Sequence, residues 1–448
     1  MLKSAYFSGL AAATLILAAT SVPSMAQPGD PTEGGKGGKI LKVTTLAKDG
    51  PGSLAAALAM KGPRIIVFEV GGAIDLEKSG LVIEEPFVTI AGQTAPSPGI
   101  TILRGGIDVK THDVKISHLR VMMGDAGEPK RSGWEADAFS TVAAHNVVVE
   151  NNSFMWAVDE NMSASGPRFT GDTVEEWREG TSHDITFRLN FAAEGLADSS
   201  HPKGEHSKGS LIHDNATNIV FDRNIWAHNV ERSPLVKGGA QVLMVNNFIY
   251  DPGLRAVHYN LMDLEWMGHP HVAGEITAVG NVMRGGNSTS EDLPFLMLGG
   301  VGDLKYYGAD NIAVDRHGEP LPMFGTYGQT EAELIEVDAP LHSPDGYDVM
   351  PAKDVETTLL RQAGARPWDR TDEEIRVLFY IAEGRGEIID SQDEVGGYPT
   401  FPATRAAFDP AQWDLATMTP KSGLYPGQTV EAQEFLSARD RAMREQAR

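Results

Sequence analysis

The sequence contains no cysteine. That excludes disulfides, cysteine-ligated zinc and a thiol nucleophile, and leaves stability to a buried apolar core. Positive charge is also scarce: 38 Lys and Arg stand against 61 Asp and Glu, a formal net charge of −23. General nucleic-acid binding needs a basic footprint and is excluded as a class. Binding an anionic polymer survives only in a local form, through a few cationic side chains or a bound cation within an acidic molecule. Beyond the N-terminus no run approaches the roughly 20 apolar residues of a membrane span. The one apolar run, Leu10 to Ala19, follows Lys3 and precedes Ser24-Met25-Ala26, a small-x-small cleavage pattern. Residues 1–26 are expected to be a signal peptide. The mature chain is then secreted or periplasmic, beginning near Gln27.

What remains is 41% apolar and 22% charged, the composition of a soluble globular chain. A length of 448 residues allows two or three ordinary domains or one elongated repeat domain. Internal periodicity decides between them. Five hexads superimpose: Val147 to Asn152, Ile185 to Asn190, Ile219 to Asn224, Val242 to Asn247 and Ile276 to Asn281. Each opens on β-branched or apolar residues, which favour short strands, and each closes on Asn. Asn tolerates the left-handed backbone of a sharp bend. Coils stacked about 4.8 Å apart would also let its side chain form a hydrogen-bonded ladder. A β-sandwich has many short strands too, but gives no reason for Asn at one position in every unit. The pattern therefore predicts a right-handed parallel β-helix over 38–308.

Around it, Gly34 to Lys39 lacks the spacing of a phosphate loop. Residues 27–37 are expected to be a flexible lead-in. The stretch around Ser53-Leu54-Ala55-Ala56-Ala57-Leu58 reads as a short capping helix over the N-terminal end of the coils, which would otherwise offer open strand edges. Residues 309–448 are expected to form an irregular and helical extension packed on the β-helix. It contains a helix over Asp372 to Glu383 capped by Thr371, and a polar helix over Val430 to Arg448.

The most specific segment is Glu231-Arg232-Ser233-Pro234-Leu235-Val236-Lys237, set between two of the Asn-terminated hexads. Arg-x-Pro-x-x-Lys in this setting resembles the pectate lyases of the parallel β-helix class, whose Arg-x-Pro-x-x-Arg segment carries the proposed catalytic arginine. Trp134-Glu135-Ala136-Asp137-Ala138 is similar to a segment whose Asp is a calcium ligand in that family, and Ala157-Val158-Asp159 to a strand carrying a second. His206-Ser207-Lys208-Gly209 resembles the segment whose lysine contacts substrate carboxylate. The resemblance thus implies Arg232 as the catalytic residue, Lys208 and Lys237 as substrate-binding, and Asp137 and Asp159 as ligands of Ca2+. Glu135 and Glu160 are candidate compensating ligands, because Met155 stands where some relatives carry a further acidic ligand. Lys237 replaces an arginine, exchanging bidentate recognition for a point charge. Histidines such as His206, His228 and His258 read as structural or surface residues.

Such an enzyme is expected to act as a monomer on an anionic polysaccharide, polygalacturonate or a related polyuronate, by calcium-assisted β-elimination. The base assignment meets a physical difficulty, since a free guanidinium is effectively always protonated. Arg232 as a charge stabiliser stays open at this stage. Two other classes use the same scaffold: a polygalacturonase-type hydrolase working through paired carboxylates, and a non-catalytic polysaccharide-binding β-helix.

Overall fold

The computed structural model describes residues 30–428, so the expected signal peptide and the expected helix over 430–448 lie outside the described residues. Three long sheets of 11, 9 and 10 strands run side by side. From Arg64–Phe68 onward each strand of the coils pairs in parallel with the strand three further along the chain, so each turn adds one rung to each sheet. This is a parallel β-helix. Its first sheet begins at Lys39–Val43 and includes His145–Glu150, His183–Arg188, Thr217–Asp222, Gln241–Val245 and Gly274–Val279. The second includes Phe139–Val142, Glu160–Ser165, Lys208–Ile212, Leu235–Lys237 and Val257–Leu261, and it carries the candidate site.

The hexads explain the stacking. Val147, Ile185, Ile219, Val242 and Ile276 are successive partners in the first sheet and all point into one core. Two residues on, Phe187 and Phe221 stack with ring centroids 5.1 Å apart. Each such side chain contributes about 1.5–3 kcal/mol by leaving water. At the corner, the Oδ1 of Asn190, Asn224, Asn247 and Asn281 accepts from both the backbone N–H and the side-chain amide of the Asn one coil earlier. The ladder runs one rung further than the sequence pattern, from Asn281 to Asn311 at 2.9 and 3.0 Å. One expectation is corrected. The left-handed residue is the one before each ladder Asn, namely Asn151, Leu189, Arg223, Asn246 and Gly280. The ladder Asn is selected for its side-chain amide, which satisfies buried backbone groups that a bend leaves unpaired.

The coils also extend beyond the expected limit at residue 308. Ile312–Val314, Phe324–Thr330 and Leu334–Glu336 add strands to all three sheets. This last turn was hidden because its hexad, paired with Ile276 at Tyr306, reads Tyr306-Tyr307-Gly308-Ala309-Asp310-Asn311 and has no β-branched residue.

At the N-terminal end Leu54–Leu58 forms a helix capped by Ser53, and buries Leu54, Ala57 and Leu58 in the core. The segment before it is not a loose lead-in. The Asp30 side chain is buried and ion-paired with Lys115 at 2.9 Å and Arg188 at 2.6 Å, and Gly35 donates to Thr89 at 2.9 Å. At the other end the extension folds back along the coils. Its helix Asp372–Ala382 starts with a Thr371–Glu374 capping box and buries Val377 and Ile381. Trp368, Phe408, Trp413, Met418 and Tyr425 cover Ile65 and Val67, so that the Arg64–Phe68 strand is buried on both faces. Among the described residues no helix is long and apolar enough to cross a membrane.

Candidate active site

The site lies where the chain enters the second sheet. Register explains why distant residues meet: Ser140 pairs with Ser163, which sets Asp137 opposite Glu160, and Glu160 pairs with Lys208, and Lys208 with Glu231. Asp137, Glu160, Lys208 and the Glu231–Arg232 pair are therefore neighbours on successive rungs, about 4.8 Å per coil. Arg255 follows in the same way, because Leu235 pairs with His258.

Asp137, Asp159 and Glu160 each offer a carboxylate oxygen within 4.8 Å of the others. Asp137 accepts from the Glu160 backbone N–H at 3.1 Å and from the Ser163 hydroxyl. Burial, reinforced by Glu160 and Asp159, holds the Asp137 carboxyl well above the usual carboxylate range. Burial also raises Glu160, against the opposing effect of Arg232. These three crowded carboxylates form a set of hard oxygen donors suited to a divalent cation.

Beside them stands a cationic group. The Arg232 guanidinium pairs with Glu160, Lys208 Nζ lies 2.5 Å from Glu231 Oε1, and Arg255 pairs with the other Glu231 oxygen. Glu231 thus anchors Lys208 and Arg255 and sits 3.8 Å from Arg232 Nε. Arg255 is further held over the Tyr327 ring, 4.7 Å from its centroid. Burial, together with Arg232 and Arg255, pushes the Lys208 amine down to about 7. Arg232 itself takes a left-handed backbone, uncommon for a non-glycine residue. Ser210 N–H and Ser233 N–H secure it on either side, donating to Arg232 O and Ala256 O. Gly209 lies directly beneath, where any Cβ would collide with the Arg232 carbonyl.

Of the residues expected at the site, Asp137, Asp159, Glu160, Lys208 and Arg232 come together. Glu135 does not join the carboxylate group; its oxygen lies 2.7 Å from His201 Nε2 instead. Lys237 is on the outer face of the same sheet but is bound to Glu265 at 2.6 Å. Met155 points into the core and is fully buried, so that position cannot supply a ligand here. His206, read from sequence as structural or surface, holds Asp159 at 2.7 Å and stacks on His201 with centroids 3.6 Å apart. Burial lowers His206 to about 2, leaving a neutral ring against the carboxylates. Glu231, Arg255 and His201 had no sequence signal beyond proximity to Arg232 and Lys208, since their roles arise from packing between coils.

A parallel β-helix with a carboxylate triad and a cation row along one sheet defines the structural class. Comparison with known proteins narrows it. A protein of Emericella nidulans named "Probable pectate lyase C" is 31% identical over 260 residues, covering 57% of this chain and 51% of that protein. Its namesake in Aspergillus flavus is 26% identical over 372 residues, 81% of this chain and 78% of the relative. The chain spans about half the length of the first of these. The cedar pollen allergen Jun a 1 shares the fold with a TM-score of 0.53 and 16% identity, covering 74% of this chain and 90% of its own. A Bacillus subtilis pectate lyase variant does so with a TM-score of 0.51 and 13% identity, over 78% and 99%. No family model matches. The chain is a homologue of proteins named pectate lyase and is built on their β-helix.

Proposed function

We propose that this protein is a secreted polysaccharide lyase that cleaves polygalacturonate, or a closely related polyuronate, by β-elimination. One observation carries the reading: the Asp137–Asp159–Glu160 carboxylates adjoin Lys208 and Arg232 along one sheet, so oxygen donors suited to a cation and two cationic side chains lie in one row. Among fold relatives, one pectate lyase is described as bound to a hexasaccharide.

The chemistry suits such a row. In a uronate the C5 proton is next to the C6 carboxylate, so its removal places a second negative charge beside the first. Asp137, Asp159 and Glu160 would hold Ca2+, whose oxygen-donor preference they match. When bound, the ion supplies neutralisation of the substrate carboxylate and Lewis-acid polarisation. Lys208 adds a positive charge from the neighbouring rung toward the developing enolate. Arg232 takes up the C5 proton, the C5–H electrons form the C4–C5 double bond, and the C4–O bond breaks; the departing oxygen takes a proton from solvent, and no water enters as nucleophile.

Ultraviolet absorbance of the unsaturated uronide, followed on polygalacturonate with calcium or chelator, tests this. We expect calcium-dependent absorbance that Arg232→Ala reduces at least a hundredfold, the scale of one acid–base group. Rising reducing ends without absorbance would establish hydrolysis instead.

The lowered Lys208 amine favours a second assignment of the base. With a value near 7, a neutral amine is present at neutral pH, and Arg232 would then stabilise charge. In that case activity rises with pH through about 7, and Lys208→Arg, which stays protonated, abolishes it. If Lys208 only binds substrate, Lys208→Arg retains most activity and raises KM.

A further inference from the structure

A cleft of about 360 Å³ lies on the outside of the first sheet, on a different face from the carboxylate–cation row. Its size falls within the roughly 300–1,000 Å³ of small-molecule sites. Thr186, Val220 and Leu243 line its base as register partners on successive coils. They face outward because their neighbours Ile185, Ile219 and Val242 point into the core. Two segments laid over the sheet complete the cleft, and both are pinned. Pro31 follows Asp30, whose side chain is ion-paired with Lys115 and Arg188. Leu341, His342 and Tyr347 come from the C-terminal extension, where the Leu341 and His342 N–H groups both donate to the Thr277 hydroxyl at 3.1 Å. The cleft is therefore preformed.

Beside the base runs a polar row. Asp184, Asn218 and Gln241 line the cleft one per coil, about 4.8 Å apart. Asn218 Nδ2 donates to Asp184 at 3.0 Å and Gln241 Nε2 to Glu275 at 3.1 Å. Each amide spends one N–H along the row and has a second N–H and a carbonyl oxygen to offer. Among the described residues no lysine or arginine lines the cleft. An anion would meet Asp184 with no cation to offset it, a like-charge contact that selects against it. The ligand that suits these groups is uncharged, carries donors and acceptors along its edge, and lays an apolar face on Val220, Leu243 and Tyr347. A neutral sugar has this make-up: hydroxyls that both donate and accept around a C–H face. Polar groups repeated at the coil spacing also match a ligand that itself repeats.

We infer that this cleft binds a neutral hexose oligosaccharide, giving the protein a second carbohydrate site outside the carboxylate–cation row. The two sites are opposite in charge preference: the row on the second sheet suits an anionic chain, and the cleft on the first sheet an uncharged one. Two sites on one rigid body hold a polymer carrying both kinds of sugar more tightly than either does alone. Binding at the cleft does not depend on the lyase reading.

Isothermal titration of the full chain with galactotetraose and with cellotetraose tests this, with trigalacturonate as competitor. We expect saturable binding of at least one of the two neutral tetrasaccharides, retained in Arg232→Ala. Asn218→Ala combined with Gln241→Ala should weaken it roughly tenfold, the scale of one or two lost hydrogen bonds. Tyr347→Ala gives an independent arm and should weaken it as well, through lost apolar contact. No saturable binding of either neutral tetrasaccharide overturns the inference, as does binding that neither the double variant nor Tyr347→Ala weakens. Loss of binding in Arg232→Ala, or displacement of the neutral sugar by trigalacturonate, would put the ligand in the carboxylate–cation row and overturn the inference too.

Discussion

Asp137 shows most directly what the site costs when no cation offsets it. Its carboxyl is raised by burial and by Glu160 and Asp159, so the folded state holds a proton more tightly than the unfolded chain. Stability from that proton is present below the ordinary carboxylate range and is lost as pH rises through the raised folded value. At neutral pH the cation-free protein should therefore melt at lower temperature than the protein with calcium, whose charge offsets the crowded carboxylates. Asp137→Asn should raise neutral-pH stability of the cation-free protein by roughly 1 kcal/mol and abolish the calcium response. Thermal melts with and without chelator measure both; a calcium response retained in the variant would remove Asp137 from the site. Asp137, Asp159, Lys208 and Arg232 were legible in the sequence because each sits in a segment similar to a known family. Glu231 was not, although it touches Arg232 in sequence, because its value lies in bridging Lys208 and Arg255 from adjacent coils. Glu265, which holds Lys237, was invisible for the same reason.

The strand corners depend on the Asn ladder more than on strand propensity. Asn224 is fully buried; its side-chain amide donates to Phe187 O at 2.9 Å and to Asn247 Oδ1 at 3.0 Å. Its Oδ1 accepts from Asn190 backbone and side chain, both at 3.0 Å. Asn224→Ala leaves several buried groups unpaired and should cost about 2–4 kcal/mol, read from denaturant unfolding. A loss below about 0.5 kcal/mol, the level of an ordinary surface change, would mean that water replaces the ladder. The hexad repeat was legible because identical geometry repeats identical chemistry. The turn around Tyr306 was not, because Tyr306 and Gly308 take the positions of Ile276 and Ala278 without the β-branched signature.

For the molecule as a whole, the extension beyond Glu336 acts as a wall of the β-helix. Arg120, fully buried in the third sheet, is satisfied by Glu374 at 2.8 Å and by the carbonyls of Asp369 and Pro98. Two of those three partners belong to the extension. Glu374→Ala strands a buried guanidinium and should cost about 3–5 kcal/mol, measured by equilibrium unfolding; a near-neutral result would show that the extension is dispensable. Such residues are spread over more than 250 positions of chain, Arg120 and Glu374 being 254 apart, and nothing local marks them as partners.

By itself the sequence determined the coil: β-branched runs closing on Asn have one common solution, stacked parallel strands with a corner ladder. It also determined the chemical types at the site, because motif segments name their residues. Only the tertiary structure decided which charges are available. Stacking sets Glu231 among three cations, ties Lys237 to Glu265 and turns Glu135 toward His201. Those pairings depend on distances between coils, which one-dimensional spacing does not encode.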